Sequence, residues 1–225
     1  MKRLIVLRPE PGASETVARA RDLGMEAFAL PLFAVEPVAW EAPDAASFDG
    51  LLLTSANAVR HAGEKLEQLR GLKAYCVGQA TANAARQAGF DIASVGKAGV
   101  ERLLGSIEAD QHLLHLAGED RTEQPSSRQK LTTLEVYRSK ALPFSAELKK
   151  AEGAVVGIHS SRAATRFTEA ADQLELRRDA IALAAISQGA ADAASGGWAA
   201  VKWADSPDDS SLLALARSMC DNSNR

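Results

Sequence analysis

Apolar positions in this chain fall into short runs without polar alternation. Leu51-Leu52-Leu53 is such a run, and it ends at Thr54-Ser55-Ala56-Asn57, where small polar residues precede a segment compatible with a helix. An uninterrupted apolar strand is typical of a parallel sheet covered on both faces. Ser55 or Asn57 can cap the helix, leaving its free N–H groups at the carboxyl end of the strand. Open α/β sheets bind ligands at that end.

The same pattern recurs in the second half of the chain. The apolar run 154–158 is followed by His159-Ser160-Ser161, and Ser160 lies 105 residues after Ser55. Val77 and Ile186 end two further apolar runs, 109 residues apart. A spacing near half the chain length is too long for a solenoid repeat. It predicts two related halves, that is, an internally duplicated protein.

Predicted strands and helices alternate along the whole chain. We predict strands at 4–7, 26–30, 51–53, 73–77, 92–95, 113–117, 154–158, 182–186 and 200–204. We predict helices at 13–23, 59–69, 80–87, 100–107, 146–150, 162–174, 188–194 and 211–219. This alternation predicts an α/β fold with parallel sheets.

Two extended segments stand outside the alternation and are bounded by prolines. They run from Pro31 to Pro37 and from Leu134 to Pro143, and we interpret them as connectors. Because there are two, the chain is expected to cross between domains twice, and 225 residues suffice for two domains. We predict a discontinuous first α/β domain (1–35 and 144–225), an inserted second one (39–133) and inter-domain linker strands (36–38 and 134–143).

Composition narrows the classes of function. The apolar fraction of 46% and charged fraction of 24% are ordinary for a soluble globular protein. The net charge of −3, without a Lys/Arg cluster, argues against a nucleic-acid or acidic-membrane binder, so attraction for an anionic ligand must be local. The apolar runs are too short for a signal peptide or a membrane span, which predicts a cytoplasmic protein. Cys76 and Cys220 lack metal-ligand spacing and are interpreted as plain thiols.

The sequence offers no standard nucleophile, metal site or nucleotide loop. No glycine-rich phosphate motif follows a predicted strand, and the four histidines form no metal-ligand pairs at helical spacing. Ser160 lacks the Gly-x-Ser-x-Gly context of a hydrolase, and His159 is expected to face the side of the strand opposite to Ser160. The absence of an acidic cluster at the strand ends disfavours receiver-like signalling lobes.

Small polar residues at the predicted strand ends are the remaining candidates for binding. They are Arg8, Ser55, Asn57, Gly78, Thr81, Gly118, Ser160, Ser161, Ser187 and Gln188. Free N–H groups at helix starts favour carboxylates, so several together could bind a polyanion. For each residue an ordinary helix cap is the alternative, although the repetition in both halves favours binding. Tyr137 on the second connector could donate a proton or simply pack, and Trp198 and Trp203 are expected in the core.

The order and spacing of these motifs resemble the uroporphyrinogen-III synthases. The resemblance rests on Leu7-Arg8-Pro9, Pro31-Leu32-Phe33, the stretch 48–59, Val77-Gly78, Val136-Tyr137-Arg138, His159-Ser160-Ser161 and Ala185-Ile186-Ser187. It implies two flavodoxin-like parallel-sheet lobes joined by a two-stranded linker, with the active site in the cleft between them.

The resemblance also implies a reaction. The family's substrate is hydroxymethylbilane, a linear tetrapyrrole that loses its hydroxyl as water, inverts its terminal pyrrole through a spiro intermediate and closes to uroporphyrinogen III. The enzyme would be a cyclising hydro-lyase of haem biosynthesis with no cofactor and no metal. Tyr137 matches the family tyrosine that assists departure of the hydroxyl, and the strand-end residues match positions that bind carboxylates. A monomer is the default, and transient contact with hydroxymethylbilane synthase stays open.

Two further expectations complete the prediction from sequence. The rival function is a non-enzymatic, two-lobed binding protein that closes on an anionic metabolite. The chain also departs from the family between Glu119 and Thr133, where a short polar segment with Pro125 replaces a longer, more apolar helix. Substrate contacts are therefore not assigned to Arg121 or Arg128.

Overall fold

The computed structural model describes residues 2–96, 99–120 and 127–221. The chain divides into two compact units, the first formed by residues 1–34 and 141–225 and the second by residues 35–140. The chain therefore passes twice from one unit to the other. The expectations for Arg121 and Pro125 lie outside the described residues.

Eleven strands and seven α-helices occur in the described part of the chain. The strands are β1 (Leu4–Val6), β2 (Ala27–Ala29), β3 (Phe33–Pro37), β4 (Gly50–Leu53), β5 (Ala74–Val77), β6 (Ile92–Gly96), β7 (His112–Gly118), β8 (Lys130–Ala141), β9 (Val155–Ile158), β10 (Ala182–Ala185) and β11 (Ala200–Trp203). The helices are α1 (Gly12–Asp22), α2 (Ala56–His61), α3 (Gln79–Gln87), α4 (Val100–Leu104), α5 (Ser161–Gln173), α6 (Gln188–Asp192) and α7 (Asp209–Asp221).

The first unit contains a parallel sheet of five strands in the order β11-β10-β9-β1-β2. Numbered along this unit, the order is that of flavodoxin-like sheets, 2-1-3-4-5. The strand order reverses between β1 and β9, where Ile5 lies opposite Val156. Such a switch point opens a crevice at the carboxyl ends of the two strands.

The second unit contains a sheet in the order β3-β8-β7-β4-β5-β6. Its five strands from β8 to β6 are parallel and repeat the flavodoxin-like order when β7 and β8 are taken as the first two. The matching strands are those that the sequence spacing pairs, such as β4 with β9. The α/β class with parallel sheets is confirmed, while the internal duplication stays a prediction.

Burial explains why the central strands lack polar alternation. Every residue of β4, β9 and β10 is buried, because helices cover both faces of each sheet. In the first unit, Phe167 of α5 is fully buried and stacks on Trp198 at a centroid distance of 5.3 Å. The expectation that Trp198 belongs to the core is thus confirmed.

Several predictions differ from the structure for identifiable physical reasons. The helix predicted at 59–69 is wrong, because α2 ends at His61 and a 3-10 helix, Glu64–Leu69, follows Gly63. Gly63 has a φ of 70°, a left-handed conformation that ends a right-handed helix. The core position expected for Trp203 is also wrong, because β11 is an edge strand and this side chain is 49% exposed.

The two connectors form sheet strands rather than isolated segments. β3 and β8 are neighbours in the second sheet, and β8 begins at Lys130, before the predicted connector. The N–H of Val38 donates to the carbonyl of Val136 at 3.0 Å. The exact linker limits of 36–38 and 134–143 stay a prediction.

Candidate functional site

In the second unit, the predicted site residues follow adjacent parallel strands. β4 lies between β5 and β7, so the carboxyl ends of these strands bring Ser55, Gly78 and Gly118 to one edge of the sheet. Ser55 begins α2, and its Oγ accepts a hydrogen bond from the N–H of Asn57 at 3.1 Å. Thr81, one turn into α3, is only 4% exposed, which leaves little of its surface for a ligand.

Tyr137 lies directly against Gly118. The register between β7 and β8 shifts after Ala117, so that Tyr137 rather than Val136 lies opposite Gly118. A Cβ atom built on Gly118 would lie 2.7 Å from Cζ of Tyr137 and 3.0 Å from its hydroxyl oxygen. An extra residue in one strand redirects the side chains that follow it. The shift thus places the phenol on a backbone without a side chain.

His61 is a neighbour of Tyr137 that the sequence did not indicate. The two ring centroids are 6.4 Å apart, with the rings tilted by 38°. Burial lowers the pKa of His61, and the positive charge of Arg60 lowers it further. The neutral form of the imidazole next to the phenol is therefore favoured.

A buried histidine supports the end of β4. His115 of β7 is 3% exposed, and its Nε2 lies 3.1 Å from the hydroxyl oxygen of Thr54. Thr54 immediately precedes Ser55 and is thereby fixed to the neighbouring strand. His115 thereby ties this strand end to β7.

In the first unit, the structure brings together the four predicted residues that follow β9 and β10. Ser160 begins α5 and its Oγ accepts from the N–H of Ala163 at 3.1 Å, whereas Ser187 begins α6 and accepts from the N–H of Ala190 at 3.3 Å. The hydroxyl of Ser161 donates to the carbonyl of Gly189 at 3.0 Å, next to the exposed Gln188.

Three of the predicted serines are therefore helix caps. The interpretation as caps is confirmed for Ser55, Ser160 and Ser187, whose oxygens each accept a backbone N–H at the start of a helix. A capping hydroxyl keeps its hydrogen, which remains available to donate to a carboxylate. Binding of a substrate by these residues stays a prediction.

Arg8 follows β1 and packs against the start of α1. Its side chain is 34% exposed, and Nη1 lies 3.4 Å from Oδ1 of Asp209. A Cβ atom on Gly12 would lie 2.6 Å from Nε of Arg8 and 2.9 Å from Nη2. Gly12 is therefore needed for the guanidinium to lie where it does.

Asp209 connects Arg8 to residues that the sequence did not single out. Its carboxylate accepts from the hydroxyl of Thr16 at 2.8 Å, from Nε of Arg19 at 2.9 Å and from Nε2 of His159 at 3.0 Å. Burial alone would raise the pKa of Asp209, but the hydrogen bonds from His159, Thr16 and Arg19 outweigh burial and hold this pKa well below its ordinary value. Asp209 is therefore ionised at neutral pH.

Asp209 was not a candidate from the sequence. The cap of α7 is its neighbour Asp208, whose Oδ1 accepts from the N–H of Ser211 at 2.9 Å. His159, with only 8% of its side chain exposed, was noted from the sequence merely as a residue beside Ser160. The sequence did contain two signals for these residues. Asp209 is a second acidic residue directly after a helix cap, and His159 directly follows a buried strand.

The described residues contain no group of three histidine, cysteine or acidic side chains that could hold a metal ion. Among those same residues, no helix is long and apolar enough to cross a membrane. Asp209 forms ion pairs with two arginines, Arg8 and Arg19.

Comparisons with known proteins find similarity to uroporphyrinogen-III synthases. The family model HEM4, described as uroporphyrinogen-III synthase HemD, matches residues 14–214. A curated protein, the uroporphyrinogen-III synthase of Chlorobaculum parvum (strain DSM 263 / NCIMB 8327), is 28% identical over 106 residues. The aligned stretch covers 43% of this chain and 43% of that protein, less than half the length of the relative.

Two solved structures share the fold. Uroporphyrinogen-III synthetase from Helicobacter pylori 26695 aligns with a TM-score of 0.64 and 18% identity, over 97% of this chain and all (100%) of that one. A mutant uroporphyrinogen III synthase from the bacterium Thermus thermophilus aligns with a TM-score of 0.51 and 19% identity, over 97% of this chain and 99% of that one.

Proposed function

Since the chain belongs to the uroporphyrinogen-III synthase family, we propose that it converts hydroxymethylbilane into uroporphyrinogen III. The observation that carries this proposal is the match of the family model over residues 14–214, nearly the whole chain. The fold shared with the Helicobacter pylori protein supports it. The reaction is a cyclising elimination of water with inversion of the terminal pyrrole.

Tyr137 is proposed as the group that assists loss of the hydroxyl. As the C–O bond of the hydroxymethyl group breaks, its electron pair leaves on oxygen, a proton from the phenol completes the water molecule, and the pyrrole nitrogen stabilises the resulting cation. The contact with Gly118 supports this role, since it holds the phenol in one orientation. Closure through the spiro intermediate then depends on how the chain of pyrroles is held.

The strand-end residues are proposed to bind the acetate and propionate arms of the substrate. In the second unit these are Ser55, Asn57, Gly78 and Gly118, together with Thr81, whose 4% exposure limits it to a minor contact. In the first unit they are Arg8, Ser160, Ser161, Ser187 and Gln188. Backbone N–H groups and hydroxyls at helix starts favour carboxylates. By this proposal the protein directs an easily ionised substrate to one of two isomers through positioning.

The cellular setting is part of the proposal. We place the enzyme in the cytoplasm, acting as a monomer without a cofactor, with transient contact with hydroxymethylbilane synthase. Nothing in the comparisons favours the rival reading as a non-enzymatic binding protein for an anionic metabolite.

A coupled assay tests the proposed reaction. Hydroxymethylbilane is generated in place, the products are oxidised, and isomers I and III are separated by chromatography with and without this protein. Isomer III is expected only when the protein is present, because closure without the enzyme proceeds without inversion. Isomer I alone, from a sample shown to be folded, would contradict the proposed function.

A further inference from the structure

We propose that Asp209 is a positioning residue that orients Arg8 and His159 at the carboxyl ends of β1 and β9 for binding the substrate. The inference rests on the proposed function and adds residues to its site. Asp209 begins α7, far in sequence from both strands. It lies at the switch point of the first sheet, where flavodoxin-like sheets bind ligands.

One carboxylate gathers donors from several parts of the first unit. Oδ1 accepts from Thr16 of α1, from His159 after β9 and from Arg8 after β1. Oδ2 accepts from Nε of Arg19 and forms an ion pair with its Nη2 at 2.8 Å. Because Asp209 is mostly buried, with 18% of its side chain exposed, these contacts are screened less by solvent than surface pairs would be.

The bond to Asp209 determines which edge of Arg8 is free. Only Nη1 contacts Asp209 and Thr16, whereas Nε and Nη2 donate no hydrogen bond to any residue that the structure describes. This part of the guanidinium packs close to Gly12, and 34% of the Arg8 side chain is exposed. Two parallel N–H groups on one guanidinium edge match the two oxygens of a carboxylate. Arg8 thus presents a bidentate edge for an acetate or propionate arm.

His159 is oriented by the same carboxylate. Its Nε2 donates to Asp209, which fixes the ring and the position of Nδ1. Nδ1 is buried and has no hydrogen-bond partner among the described residues. An unpaired buried polar atom costs free energy unless a partner binds to it. A linear tetrapyrrole supplies both N–H donors and carboxylate acceptors, either of which can pair with this atom.

A purely structural role for Asp209, as a link between α1 and α7, makes a different prediction. If Asp209 only links the two helices, its substitution would have the same effect whether or not Arg8 is present. A positioning residue acts through Arg8, so its effect would shrink once Arg8 is removed. The two roles are separated by combining substitutions at both residues, because coupled residues give non-additive effects.

The test is a double-mutant cycle on the full chain with hydroxymethylbilane as substrate. Steady-state KM and kcat are measured for the wild type, Arg8→Gln, Asp209→Asn and the double variant. Asp209→Asn is expected to raise KM about tenfold with little change in kcat, the factor that corresponds to one charge-assisted hydrogen bond. The double variant should raise KM by less than the product of the two single increases, because part of the effect of Asp209 acts through Arg8. Single increases that multiply in full would overturn the inference.

Two further variants keep the test decisive. Arg19→Gln removes the other ion pair of Asp209 without touching a strand end, and its KM should stay within about twofold of the wild type. An increase as large as that of Asp209→Asn would show that charge balance, not orientation, is responsible. If Asp209→Asn does not fold, Thr16→Val replaces it in the cycle, with a smaller increase in KM that shrinks in the Arg8→Gln background.

A binding measurement separates this inference from the proposed function. Uroporphyrin III, the oxidised octacarboxylate product, is titrated into each variant and its fluorescence is followed, without any need for turnover. Non-additive losses of affinity at Arg8 and Asp209 would support the inference even if the wild type formed no isomer III. Additive losses alongside normal formation of isomer III would refute only the inference.

Discussion

The phenol ring of Tyr137 lies so close to the α-carbon of Gly118 that no other residue fits at position 118 without displacing the ring. The two residues come from adjacent parallel strands, and a register shift sets them opposite each other. Both were candidates from sequence for separate reasons, and their contact joins the proposed acid to the end of β7. Several measurable consequences depend on this contact.

Gly118→Ala is expected to reduce formation of isomer III at least tenfold, because the new methyl group would displace the phenol from its position. Overpacking of a buried site also costs stability, here about 1–3 kcal/mol of unfolding free energy. Isomer ratio and urea unfolding together check both effects. Gly71→Ala is the matched control in the same unit, since a Cβ there meets nothing within 4 Å. Normal turnover in Gly118→Ala would show that the contact does not hold the phenol for catalysis.

Tyr137→Phe removes only the hydroxyl and keeps the ring on Gly118. We expect kcat to fall by about 10²–10⁴, the range for a general acid, while the melting temperature stays close to that of the wild type. Single-turnover kinetics with hydroxymethylbilane measure the effect. Unchanged turnover in a folded sample would remove Tyr137 from the mechanism and leave the ring as a packing group.

The strands were predictable because a strand buried on both faces needs an uninterrupted apolar run, which is visible in the sequence. Runs such as Leu51-Leu52-Leu53 occupy fully buried central strands, so their apolar character reports the sheet directly. The 59–69 helix was not predictable in full, since its end depends on the positive φ of Gly63. The exposure of Trp203 was not predictable either, because residue type does not reveal that β11 is an edge strand.

The candidate site likewise contains some residues that the sequence could predict and others that it could not. Ser55, Ser160 and Ser187 follow apolar runs, so their positions at helix starts could be predicted from neighbouring residues alone. The Asp209 cluster could not, because it joins residues separated by up to 201 positions whose proximity depends on helix packing. Contact between Tyr137 and Gly118 likewise requires the register shift of β8.

Gly12→Ala should affect binding but not stability. The added methyl group would displace only the flexible end of Arg8, and replacing glycine within a helix favours the folded state by up to about 1 kcal/mol. We expect an unchanged or higher melting temperature together with an increase in KM of about threefold to tenfold. Gly196→Ala, also without neighbours within 4 Å, is the control in the same unit. A normal KM would show that Arg8 does not bind the substrate at this edge.

The two thiols are expected to be unreactive in the native protein. Burial raises the pKa of Cys76 to about 11, and burial, followed by the charge of Asp221, raises that of Cys220 to about 11. The thiolate is the reactive form, so at pH 8 both residues should resist a disulfide reagent such as DTNB and react together once urea unfolds the chain. Rapid reaction of one thiol without urea would place that cysteine in a more open environment than the buried one described.

Asp209 should make the stability of the protein depend on pH in a defined direction. Its pKa is lowered in the folded state, so the unfolded chain takes up a proton first as the pH falls. The stabilisation is therefore fully present above the ordinary aspartate pKa of about 3.9 and is lost as the pH falls towards the lower folded-state value. At pH 7, Asp209→Asn should lower the unfolding free energy by about 1–3 kcal/mol, the cost of disrupting charged hydrogen bonds.

Urea titrations between pH 7 and 3 measure this difference in unfolding free energy between Asp209→Asn and the wild type, and it should shrink as the pH falls. Asp192→Asn removes an exposed carboxylate without a hydrogen bond among the described residues, and its difference should stay near zero throughout. A difference for Asp209→Asn that stays constant with pH would mean that its charge does not stabilise the fold.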